Sequence, residues 1–95
     1  MIRVITAEDP AITTITVDGK LAGESVESVR ICCAQAISKG KPVRVYLREV
    51  STIDEKGRTL LRELARQGVR LKATGIYSSY IVDEIQAACT NGGHP

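Results

Sequence analysis

Phenylalanine and tryptophan are missing from this sequence, tyrosine occurs three times and histidine once. So few rings give little material for stacking nucleic-acid bases, and a formal net charge of +2 is too small to argue for a polyanion. No nucleic-acid partner is expected. Cysteine is scarce and odd in number: Cys32 and Cys33 are adjacent, Cys89 is remote, and no Cys-x-x-Cys occurs. With His94 alone in a Gly/Pro terminus, neither a zinc site nor a disulfide scaffold is expected, and no metal or cofactor. No serine or cysteine has a base at motif spacing, so catalysis is the least expected class. A glycine-rich phosphate loop is also lacking, since Gly19 is isolated and Gly92-Gly93 lies in the tail. No apolar run approaches the ~20 residues of a membrane span, and Met1-Ile2-Arg3-Val4 lacks the features of a secretory signal. A cytoplasmic protein without membrane insertion is expected.

What is present is ordinary globular material, 43% hydrophobic and 25% charged in 95 residues. That length suits one domain, expected over residues 1–90, followed by a disordered tail at 91–95. The organising stretch is Val43 to Leu64. Val43, Val45 and Leu47 alternate with Arg44 and Tyr46, placing three aliphatic side chains on one face of a strand. From Gly57 the period becomes helical: Leu60, Leu61 and Leu64 share one side, while Arg58, Arg62 and Arg66 step four apart along another. Asp54 stands where a helix cap belongs, with Glu55 after it in favourable relation to the dipole. The connector should present Asp54, Glu55, Lys56 and Gly57 at the carboxyl end of the sheet, a common position for binding chemistry in α/β proteins.

Before this stretch, Arg3 to Thr6 and Ile12 to Val17 are β-branched runs separated by Glu8-Asp9-Pro10, which predicts a hairpin whose second strand ends at Asp18-Gly19. Apolar residues at helical spacing predict a first helix over about Glu24 to Lys39, closed by Gly40 and Pro42. Past Gly68, Val69, Leu71 and Ala73 alternate as a short strand, and Tyr80, Ile81, Ile85 and Ala88 mark a last helix with Ser78 or Ser79 as its cap. The predicted fold is therefore α/β, a mixed sheet in the order ββαβαβα with the helices mainly on one face.

This pattern resembles the STAS domain family, which includes anti-sigma factor antagonists and the cytoplasmic tails of sulphate transporters. The likeness runs from about Ile12 to Ile85 and is carried by Val17-Asp18-Gly19-Lys20-Leu21 and by Val50-Ser51-Thr52-Ile53-Asp54-Glu55-Lys56-Gly57. The resemblance implies a bacterial signalling module in transcription regulation, binding a protein such as an anti-sigma factor with serine-kinase activity, or a transporter component. In the family's antagonists the first serine after the aspartate is the phosphoacceptor; here that position is Glu55, and the next serine is Lys56. Neither can be phosphorylated. A carboxylate at Glu55 imitates phosphoserine weakly, with one charge against roughly 1.5 to 2 and Lys56 beside it. The expected contact surface is Asp54, Glu55, Lys56 and Gly57 with Arg58, Arg62 and Arg66 behind, suited to an acidic partner. The alternative is a small-ligand domain for nucleotides or lipids. A monomer, or a weak homodimer through the Arg3–Thr6 edge, completes the expectation.

Overall fold

Val45 sits in the middle of the sheet, with Ile15 beside it on one strand and Leu71 on the other. In the computed structural model, which describes residues 2–92 and for 89–92 the backbone only, strand β3 (Val43–Ile53) runs parallel to both β2 (Thr13–Leu21) and β4 (Arg70–Ala73). Strand β1 (Ile2–Glu8) closes one side antiparallel to β2, so the sheet order is β1-β2-β3-β4. Helix α1 (Glu24–Ser38) connects β2 to β3, α2 (Glu55–Arg66) connects β3 to β4, and α3 (Ile76–Gly92) follows β4. The expected order ββαβαβα is the observed one.

The pleat decides where the helices go. Ile15, Val17, Val43, Val45, Leu47 and Leu71 point to one side and pack in a single cluster with Val26, Val29 and Cys33 of α1, Leu60, Leu61 and Leu64 of α2, and Ile81, Val82 and Ile85 of α3. Their alternates, Thr14, Thr16, Arg44 and Tyr46, are only half-buried, while Arg70 and Lys72 are exposed. Each helix carries one apolar stripe, and the three stripes share one sheet face.

Both central strands are longer than their alternation suggests. β2 continues through Asp18-Gly19 to Leu21, and β3 continues from Leu47 to Ile53, where a connector was expected. The pairing slips between Val17 and Asp18 and again between Gly19 and Lys20, so β3 supplies extra residues opposite β2. Such irregularities break the period of two without ending the ladder. Gly19, at φ 112°, takes the positive dihedral that would otherwise have turned the chain.

α3 starts at Ile76, immediately after Gly75, so neither serine caps it. Ser78 is buried and donates to the Val50 carbonyl (3.0 Å), and Ser79 donates to the Ala73 carbonyl (3.2 Å). The helix runs on through Gly92, and of the expected tail Gly93, His94 and Pro95 lie outside the described residues.

Candidate functional site

The carboxyl ends of β2 and β3 lie side by side, and each feeds the start of a helix. Asp54 ties the two starts together. One carboxylate oxygen, Oδ1, accepts from the Gly57 N–H (2.8 Å), capping α2; the other, Oδ2, accepts from the Gly23 N–H (2.9 Å) at the start of α1. Its own N–H donates to the Leu21 carbonyl at the end of β2 (3.3 Å). The hydrogen bond from Gly23, followed by that from Gly57, holds the Asp54 carboxyl below the ordinary value of 3.8. Because the folded-state value is the depressed one, this contribution to stability is present above the ordinary carboxylate range and disappears as pH falls through the folded value. Asp54→Asn should thus melt lower than wild type at about pH 7, with the gap between the two melting temperatures narrowing as pH falls below the ordinary value of 3.8. Thermal melts of both proteins from neutral to acid pH check it, and a constant gap would mean that charge on Asp54 plays no part.

Gly57 is buried in the first turn of α2, where its N–H serves the Asp54 cap and its lack of a side chain serves the packing. A Cβ there would stand 2.5 Å from the Leu21 carbonyl oxygen and 3.0 Å from Ile53 Cγ2. Glu55 and Lys56 are the exposed members of the tip. The Glu55 side chain is 79% exposed and lies 3.6 Å from Arg62 Nη1. Behind the tip, the arginine stripe is less free than its spacing implies. Arg58 faces Glu84 of α3 at 3.6 Å, Arg62 faces Glu55, and only Arg66 makes no ion pair among the described residues.

Several contributors escape a linear reading because their contacts span long stretches of chain. Gly23 meets Asp54 across 31 residues. The Tyr77 hydroxyl, 24 residues from Ile53, accepts from its N–H (3.0 Å) and donates to its carbonyl (3.3 Å), pinning α3 to the strand just before Asp54. In the same first turns of α3, Ile76 and Tyr80 are 93% and 66% exposed. Tyr80 and Ala88, expected on the apolar stripe of the last helix, are exposed instead, because Val82 joins Ile81 and Ile85 on the buried side and turns the stripe away from them.

Between the starts of α1 and α2 opens a cleft of about 540 Å3, bordered by Gly23, Glu24, Glu27, Arg30, Lys56 and Thr59. Arg30 crosses its floor to Glu63 of α2 (2.8 Å) and lies 3.5 Å from Glu27. Among the described residues no group of three or more His, Cys, Asp or Glu side chains is placed to hold a metal ion. Cys33 is buried in the core, and burial pushes its thiol up to about 12, so at neutral pH it is protonated and poorly nucleophilic. No protein-family model matches the chain, and neither does any curated protein.

Proposed function

We propose that the chain is a non-enzymatic interaction module, similar to an anti-sigma factor antagonist of the STAS family, acting on a cytoplasmic protein partner. Candidate partners are an anti-sigma factor with kinase-like character or a transporter component, and the regulated process would be transcription or transport in a bacterial cell. The observation that carries this reading is the Asp54 bridge. By fixing the starts of α1 and α2 against each other, it presents Glu55 and Lys56 on a rigid tip, with Arg58, Arg62 and Arg66 behind, while Ile76 and Tyr80 are exposed in the first turns of α3. Rigid polar groups together with exposed apolar anchors are what a protein interface uses. With Glu55 in the place of the family's phosphoacceptor, the module lacks the usual phosphoswitch and its binding would be constitutive.

The cleft beside Gly23 and Lys56 favours a second reading, a site for a nucleotide or lipid headgroup, and the two are separable. Replacing Arg58, Arg62 and Arg66 together by serine removes no buried apolar contact, so the fold should survive with little change in urea midpoint. Stopped-flow association with an anti-sigma factor or transporter fragment from the source genome should become much slower in the triple variant and less dependent on salt, because exposed charges act over roughly 8 to 10 Å. Equal rates for both proteins at low and high salt would remove the arginine stripe from the interface. A nucleotide that raises the melting temperature of wild type, with no protein bound at the tip, would favour the ligand reading.

A further inference from the structure

The net charge of +2 conceals a segregation by face. Register and pleat place Arg3, Lys20, Arg44, Arg48, Arg70 and Lys72 on the side of the sheet that no helix covers, six of the chain's thirteen cations. Of the eleven acids only Asp18 and Glu49 share that side, and Asp18 is already held by the Arg48 guanidinium (Nε to Oδ1, 3.0 Å). The rest of the molecule, seven cations and nine acids, is net negative. The cations are also placed against the interest of the fold. Arg44 and Arg70 are directly opposite each other on β3 and β4, a like-charge arrangement that weakens strand pairing, and the Arg44 guanidinium leans to the other neighbour, donating to Thr14 Oγ1 (3.2 Å). Tyr46 stands next in line, with Thr16 on one side and Lys72 on the other, the ring that the central strand contributes to this face.

We propose that this open sheet face binds single-stranded nucleic acid, with Tyr46 as the stacking surface for a base and Arg44, Arg70 and Lys72 on the flanking phosphates. Three observations select this occupant among anions. Four of the six cations are arginines, whose planar guanidinium groups take phosphate oxygens two at a time. The aromatic ring lies among those cations, where a base can stack while its backbone is neutralised; an acidic polypeptide has no use for that arrangement. A membrane surface would need apolar side chains to insert, and on this face Ile5 is the only exposed large hydrophobic among the described residues. The proposal is independent of the tip at Asp54, which lies at the end of the sheet and not on this face.

Fluorescence anisotropy with a labelled single-stranded RNA of about a dozen uridines tests it. Wild type should bind at low salt, and with about three phosphates neutralised the logarithm of affinity should fall against the logarithm of salt with a slope near −2. Arg70→Glu combined with Lys72→Glu should weaken binding at least tenfold and flatten that slope, while Tyr46→Leu should weaken it about tenfold at an unchanged slope. Arg70→Glu alone should raise the melting temperature, since it replaces a repulsive pair with an attractive one opposite Arg44; loss of binding in a protein that is more stable excludes unfolding as the cause. No binding to the RNA, equal binding by the charge-reversed variant, or tighter binding to polyglutamate or to phosphatidylserine vesicles would overturn the proposal.

Discussion

Val45→Asp should unfold the protein. Val45 is fully buried between Ile15 of β2 and Leu71 of β4, with helices packed over it, and among the described residues no Lys or Arg is buried in that core. A carboxylate placed there either keeps its charge without a partner or takes up a proton, and both routes cost several kcal/mol or more, against a total stability of about 5–15 kcal/mol for a domain. The expected result is a far-ultraviolet circular dichroism spectrum without native helix and strand at neutral pH, and no cooperative urea transition. A variant that melted like wild type would show that Val45 does not face the interior and that the assignment of the central strand is wrong.

Gly57→Ala should destabilise, although alanine is the better helix former by about 1 kcal/mol. In an open helix the exchange would strengthen α2. Here the new methyl would stand 2.5 Å from the Leu21 carbonyl oxygen, a backbone atom that cannot swing aside as a flexible side chain would. That oxygen also accepts the Asp54 N–H. The start of α2 must therefore lift from the end of β2 and draw Asp54 off Gly23. Overpacking of this kind costs about 1–3 kcal/mol, enough to outweigh the gain in propensity. Urea titrations should show a lower midpoint with an unchanged slope. A higher midpoint would mean that α2 does not approach β2 so closely, and would dissolve the packing argument for glycine at this position.

The periodic parts of the chain were legible before any coordinates: the alternation of Val43, Val45 and Leu47, the leucine stripe of α2, and the cap at Asp54 all have the roles their spacing implies. Strand ends were not. Asp18-Gly19 has the composition of a turn, yet the ladder between β2 and β3 absorbs it through a slip in register, because the parallel neighbour contributes an extra residue. The last helix was misread at its start for a related reason. Ser78 and Ser79 are good caps in isolation, but they lie one turn in and spend their hydroxyls on the carbonyls of Val50 and Ala73. Asp54 was recognised as a cap, and half of its work was missed, since nothing local marks Gly23 as the second donor. Net charge, a sum over faces that the pleat keeps apart, does not register that six of the cations share the uncovered side of the sheet.

The uncovered side of the sheet has a bearing on how such a chain can change over generations. A strand buried on both faces answers to the core at every position; here Arg3, Thr14, Thr16, Arg44, Arg70 and Lys72 answer to it at none, since their alternates fill the interior alone. Substitutions on that side can accumulate without disturbing α1, α2 or the Asp54 bridge, and those at the tip without disturbing the sheet. One small domain thus carries two surfaces that can vary independently of each other.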